Sequence, residues 1–547
     1  PELVMGRSDA LTTDPGLEIA PAISPDGRLV AYSAGNSTRM RIYIRPVGGG
    51  RTIPLSDDST AVEMQARWSS DGQSLLFLTR GGVSVAPALG GSSRAIVAPA
   101  GSGPVTAAAW SPDGREIAFA RGDTLQVVPL AGGDARPLAT AFELHSCTWS
   151  PDGAWIACVS GNRFAVQLGA SFGNLAPTRI LLVPVAGGEP VELAAATASN
   201  MSPAWGGDGR HLYFLSTRDG PSDIYAQALT GSGRARGEPV RLTTGLGASA
   251  ISFSTDHRRM AYSVYTAQSN LWALPIPTGA ATGVERAVSL TSGRQVVEAM
   301  RVSPDGQWLV YDSDLRGNPD IYRLPLAGGS PEQLTSAPAA EFGPDLSPDG
   351  RRVAYHSWRT GTRDIEVKPL DGGPVERVTD TPAQESYPVW SPDGNAIVYV
   401  DQVVPAAVWV ARRDGAGAWS RDPAPLVSEA TLPVWSPDGA WVAYIEGARH
   451  PNSYGPIAIV PSAGGTPRRL FTPGPDAPMA AKVQWSPDGR TVYFKSFDEV
   501  GRASFWAVSA GGGMPRLLVA FTDPDRQSLR ADFATDGRRC YVASADR

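Results

Sequence analysis

Pro388 to Val400 reads PVWSPDGNAIVYV, and the five residues Trp390-Ser-Pro-Asp-Gly394 inside it recur at Trp110, Trp149, Trp435 and Trp485. Aligned on the aspartate, S-P-D-G and its near relatives fall at Asp26, Asp71, Asp113, Asp152, Asp208, Asp256, Asp305, Asp349, Asp393, Asp438, Asp488 and Asp536. Eight of the twelve are complete, and the degenerate ones are SSDG (69–72), GGDG (206–209), STDH (254–257) and ATDG (534–537). Successive spacings run from 39 to 56 residues, mostly in the forties. A period of that size with strand-like content is what a four-stranded propeller blade needs.

One unit, residues 341–380, can be read strand by strand. A first strand runs into Leu346, and Ser347-Pro-Asp-Gly350 turns the chain. Pro presets φ, Asp bonds back to nearby N–H groups, and Gly takes the positive φ. RVAYHS is a second strand, apolar enough to be buried on both faces, DIEVKPL a third, and VERVT an outer fourth. The repeated phrase is therefore a turn between the two inner strands, and its Trp packs between neighbouring blades. Twelve equivalent aspartates would not each need a catalytic environment, so the motif shapes the chain and does no chemistry.

The pattern W-S-P-D-G-x-x-I-A-F/Y, then x-D-I-Y, then G-G-x-P-x-x-L-T resembles the WD40-like PD40 repeat of TolB-type propellers. Residues 303–335 are a near-ideal copy, and the resemblance covers nearly the whole chain. It implies an all-β fold of twelve four-stranded blades. TolB-like propellers usually have six blades, so two tandem rings are expected, residues 1–285 and 286–547, joined by the Gly-, Ala- and Thr-rich stretch 275–295. The last unit lacks a third and fourth strand, and residues 2–13 (ELVMG, DALTT) resemble the missing pair, so they are expected to complete blade twelve or blade six.

The chain has 547 residues, 42% apolar and 19% charged, with net charge −6 and pI about 5.6, which argues against a nucleic-acid binder. Lysine occurs only at Lys368, Lys482 and Lys495, so 45 of 48 basic residues are arginine; with the many Ala and Gly this reads as a GC-rich bacterial genome. Three cysteines exclude a disulfide framework or zinc ribbon. Cys147 and Cys158 flank one turn and could lie near each other across a hairpin, whereas a four-residue loop would pair Cys147 with Ile156 and strand neighbours seldom meet disulfide geometry, so the sequence leaves open whether they are bonded. No apolar run reaches the roughly 20 residues of a membrane span. The start, PELVMGRSDA, has no signal-peptide pattern and reads as a mature or excised end.

No G-x-S-x-G elbow or hydrolase domain is present: VPSAGG (460–465) has Val460 where the elbow needs Gly. The histidines 145, 211, 257, 356 and 450 lie in different blades without metal-ligand spacing, and DSDLRGNPD (312–320) lacks a calcium-loop pattern, so neither metal nor cofactor is expected. Glu18, Glu63, Glu341 and Glu385 stand eight residues before the motif Asp, with Glu298 seven before and Glu143 and Glu429 nine before. This is the entry to the innermost strand. An acidic ring there would draw cations or basic peptides to a funnel mouth, whereas solvated loop ends would carry glutamate without purpose. The long loop 161–178, with Phe164 and Phe172, is a second candidate for recognition.

The resulting expectation is a non-enzymatic recognition or sensor module outside the cytoplasm, periplasmic or extracellular, with a protein or peptide partner, no nucleic acid and no membrane insertion of its own. The units resemble propellers attached to bacterial membrane serine/threonine kinases, which implies a larger receptor. Two other readings stay open: a TolB-like periplasmic scaffold, though TolB carries an N-terminal α/β domain not seen here, and the propeller of a prolyl-oligopeptidase-type peptidase without its catalytic domain.

Overall fold

The computed structural model describes all of the chain except residues 1–5, 13–16, 37–38, 59–60, 100–104, 163–176, 265–267, 361, 402–404, 448–453, 475–476, 499–501, 523–527, 529–531 and 545–547. The described residues form antiparallel sheets and no α-helix. Two compact units meet in sequence at Thr266 and Ala267.

In the first unit the inner strands are Leu17–Ile23, Met64–Trp68, Val105–Trp110, Leu144–Trp149, Asn200–Trp205 and Ala248–Phe253. Each neighbours the next and the sixth returns to the first, closing a six-bladed ring. The seam is tied by Thr255 N–H to Pro25 C=O (3.1 Å) and Arg259 Nη1 to Gly27 C=O (2.7 Å). In the second unit, Met300–Val302, Glu341–Leu346, Glu385–Trp390, Ala430–Trp435, Lys482–Trp485 and Phe533–Thr535 close a second ring in the same way.

The opening stretch behaves as its letters require. Ser391 Oγ donates to Asp393 Oδ1 (2.5 Å), Asp393 accepts the Asn395 N–H (3.1 Å), and Ser391 Oγ accepts the Ala396 N–H (2.9 Å). Gly394 takes φ 73°. The Ser391 hydroxyl, then the backbone N–H, hold the Asp393 carboxyl below its ordinary range against a smaller opposing effect of burial. The tryptophans before the turn stitch blades together: Trp68, Trp110, Trp205, Trp435 and Trp485 donate Nε1–H to the carbonyls of Ala22, Arg67, Thr148, Val389 and Val434, each on the preceding blade.

Two expectations need correction. The boundary does not lie at 285/286, and residues 2–13 do not complete blade twelve. Asn270–Pro275 pairs with Arg539–Ser544, and Val288–Ser289 pairs outside it, so the last sheet runs Val288–Ser289, Asn270–Pro275, Arg539–Ser544, Phe533–Thr535. NLWALP and AVSLT carry the same third- and fourth-strand pattern as DIYRLP and PEQLT. They arrive before the second ring begins and close it when its last strands arrive, which removes an open edge. Spacing along the chain cannot distinguish this from a sixth blade of the first ring. That sixth sheet has two described strands, Ala248–Phe253 and Met260–Val264. Residues 1–5 and 13 lie outside the described residues; Gly6–Thr12 carry no strand, and Ser8 Oγ meets the Tyr262 hydroxyl at 2.5 Å beside that sheet.

The question left open at Cys147 and Cys158 is decided as well: the two are bonded. Thr148 faces Ala157, but the register then shifts at a bulge with Ser146 at φ 48°. The extra residue turns Cys147 toward Cys158, with Cα atoms 4.1 Å apart. The same bulge, six residues before the motif Asp, recurs at Ala20, Gln65, Ser202, Gly343, Tyr387 and Leu432, all at positive φ.

Candidate functional site

The five predicted glutamates do not form a ring at a funnel mouth. Glu18 is half-buried opposite Ala34. Glu63 is buried and its Oε2 accepts the Ile42 N–H (3.3 Å). Glu341 and Glu385 are 1% and 0% exposed. Glu341 pairs with Arg359 Nη2 at 3.1 Å. Glu385 accepts from the hydroxyls of Thr379 (3.4 Å) and Thr381. Burial pushes both carboxyls up to about 7. Thr335 and Thr379 also receive the N–H groups of Ile321 and Ile365, so each glutamate joins a latch between consecutive blades. The loop 161–178 has residues 163–176 outside the described residues.

Glu298 does sit by a cluster of interest. The inner strands of the second unit carry Arg301, Asp345, Gln484 and Asp532 four residues before the motif Asp, and Tyr387 and Lys482 six before. This row reaches the inner strand of the next blade: Asp345 Oδ2 accepts the Trp390 N–H (2.7 Å), and Gln484 Nε2 donates to Phe533 C=O (3.1 Å). Six such strands converge, so the row surrounds the ring axis.

Charge is packed tightly there. Lys482 Nζ lies 3.4 Å from Asp532 Oδ1 and 4.9 Å from the centre of the Tyr387 ring. Arg301 Nη1 lies 3.9 Å from the same Asp532 oxygen, too far for a hydrogen bond. Arg301 and Asp345 are each 8% exposed, Asp532 7% and Lys482 1%. Arg301 Nη1 and Asp532 Oδ2 have no hydrogen-bond partner. Burial pushes Asp345 up to about 6 despite Arg301, the Trp390 N–H and Lys482, and pulls Lys482 down to about 8 despite Asp532.

A second tier comes from the position seven residues after the motif Asp, on the second strand: Asp312, His356 and Lys495, where blades nine and ten have Val400 and Ile445. Asp312 accepts the N–H groups of Glu298 (2.7 Å), Ala299 (3.0 Å) and Gly343 (3.0 Å), yet burial and the Glu298 charge push it up to about 7. Burial, Arg363 and Lys482 hold His356 well below its usual range, so its ring is neutral. Lys495 Nζ donates to Ser528 Oγ (2.7 Å), and burial pulls it down to about 7. Two of the chain's three lysines are thus desolvated around one axis.

Reading from the glutamates missed this cluster. The signal lay four residues further along: at offset minus four the second ring has Arg301, Asp345, Gln484 and Asp532, where the first has Ala22, Ala109, Thr148, Ala204 and Ser252 with Arg67. Among the described residues no group of three His, Cys, Asp or Glu is placed to hold a metal, and no helix is long and apolar enough to cross a membrane.

Among curated proteins none matches this chain. Solved structures with similar folds include a TolB from Agrobacterium tumefaciens (21% identity, TM-score 0.41, covering 52% of this chain and 100% of that one). Others are TolB from Acinetobacter baumannii (17%, 0.35, 59% and 81%) and the tricorn protease (13%, 0.34, 92% and 63%). The model of the TolB β-propeller domain, PD40, matches residues 2–168 and 248–450, more than half of the chain. With twelve turn motifs and two closed rings, the chain belongs to the PD40 family of TolB-type β-propellers.

Proposed function

We propose that this chain is a non-enzymatic recognition module that binds a protein segment, a peptide or a small ligand at the axis of its second propeller. The observation that carries the reading is the pair Arg301 and Asp532. Both are more than nine-tenths buried, and each holds a polar atom without a hydrogen bond. A buried charge left incompletely met is costly, and it persists where a bound group completes it. Binding is favoured over catalysis because the buried acids Asp312 and Asp345 are engaged by backbone N–H groups instead of facing a nucleophile.

The Cys147–Cys158 bond supports action outside the cytoplasm, since such bonds persist in oxidising compartments. Resemblance to the propellers of bacterial membrane kinases makes a larger receptor the setting we propose. The test is thermal unfolding of the whole chain against cationic and anionic peptides and cell-wall fragments. A ligand of the folded state raises Tm by mass action. The expected result is a rise that Arg301→Gln and Asp532→Asn abolish. A rise that survives both substitutions removes the axis as the binding site.

A further inference from the structure

The first propeller carries a different axis. Its row four residues before the motif Asp reads Ala22, Arg67, Ala109, Thr148, Ala204 and Ser252. Ser252 shows where the row points: its Oγ accepts the N–H of Ile23 on the next blade's inner strand (3.1 Å). Asp345 makes the equivalent bond to Trp390 in the second ring. Ala22, Ala109 and Ala204 provide no side-chain acceptor for the corresponding N–H groups of Trp68, Trp149 and Phe253. Inner strands pair on one side only, so their other edge presents backbone donors toward the axis.

Into this lining of small and hydroxyl side chains reaches one cation. Arg67 makes a single hydrogen bond among the described residues, Nη1 to Ala66 C=O at 3.1 Å, and takes part in no ion pair. It is half-buried and keeps accessible surface. Burial lowers its pKa, and no carboxylate offsets the effect. The second ring meets its axial arginine with Asp532 and Asp345; the first leaves its arginine without a counter-charge. Ser252 uses a lone pair on Ile23 and keeps its hydroxyl proton to donate.

We propose that the axis of the first propeller binds a small oxyanion, through the Arg67 guanidinium, the Ser252 hydroxyl and the inner-edge N–H groups beside Ala22, Ala109 and Ala204. A guanidinium fork with neutral donors suits the planar or tetrahedral oxygens of a carboxylate or phosphate. The site is separate from the one proposed for the second ring and does not depend on it.

The experiment titrates the whole chain with inorganic phosphate, with acetate and with chloride at constant ionic strength, and follows Tm. At least one oxyanion is expected to raise Tm saturably where chloride does not, and the stronger of the two identifies the phosphate or the carboxylate as the natural group. Arg67→Gln should weaken that response at least tenfold. In oxyanion-free buffer the same variant should melt no lower than the parent, because it no longer buries an unmet charge. Arg67→Lys, which keeps the charge but loses the fork, covers the case in which Arg67→Gln fails to fold and should weaken binding to an intermediate degree. An equal response in all three proteins would place the anion elsewhere, at Arg301 for example, and overturn the proposal. So would the lack of any oxyanion effect beyond that of chloride.

Discussion

Gly343 and Asp312 lie on neighbouring blades, and the Gly343 N–H donates to Asp312 Oδ2 at 3.0 Å. Gly343 stands at the bulge position with φ +62°, and a Cβ there would sit 2.9 Å from His356 Cε1. Glycine is needed twice over, for the dihedral and for the room.

Gly343→Ala should therefore lower stability by about 2–3 kcal/mol, combining left-handed strain with displacement of a buried ring. Ala20, at the same bulge position in blade one, has φ 51° and accepts the dihedral alone. Urea unfolding of Gly343→Ala against the parent measures the difference. A loss under about 0.5 kcal/mol would mean that His356 moves aside at little expense.

Acid pH should stabilise the chain before it denatures it. Glu341 and Glu385 are pushed up to about 7 by burial, and Asp345 to about 6. The unfolded chain gives up the corresponding protons near pH 4. Between about pH 4 and 7 the folded form binds more protons, so this contribution is full below pH 4 and is lost as pH rises through 7. Asp223 acts in the opposite sense. Burial pushes it up, but the Leu246 N–H, Arg241, Thr243 and the Gly245 N–H outweigh this and bring it down to about 2, so its contribution is lost below pH 4. Stability should peak near pH 4.5–5. Glu385→Gln should flatten the slope between pH 5 and 7, by about 1–3 kcal/mol over that range. Urea midpoints at several pH values check this, and an unchanged slope would acquit Glu385.

The closing sheet gives a prediction about folding alone. Residues 267–547 expressed by themselves should give a cooperative, monomeric fold. Residues 286–547 lack Asn270–Pro275 and expose the edge of Arg539–Ser544, a template for self-association. Size-exclusion chromatography and thermal unfolding of the two separate the cases. Equal behaviour would show that the last blade closes without its borrowed strand.

The turn chemistry and the blade period were legible because each repeats twelve times or nearly so, and the Trp stitching because it recurs in five blades; repetition averages out local exceptions. What was not legible depends on single residues. Whether 270–275 joins the sixth or the twelfth blade is decided by which edge is free, and the letters NLWALP suit either. The Cys147–Cys158 bond needed a bulge at Ser146, a residue with no turn signature. The glutamates were correctly placed at strand entries, but entry positions in this fold are roofed by the preceding hairpin, as Thr335 over Glu341 illustrates. The axial charges at Arg301, Asp345 and Asp532 were visible in the alignment of repeats, four residues from the motif and not eight.

The pairing of Asn270–Pro275 with Arg539–Ser544 also sets a schedule on the ribosome. The first of these strands leaves the exit tunnel long before its neighbour is made. At translation rates of about 5–20 residues per second the interval is some tens of seconds. Through that interval five sheets of the second ring can assemble, but none can be sealed into a circle. The nascent chain therefore carries an unpaired strand edge until Arg539–Ser544 has been made, and that is the period in which a holdase would find it.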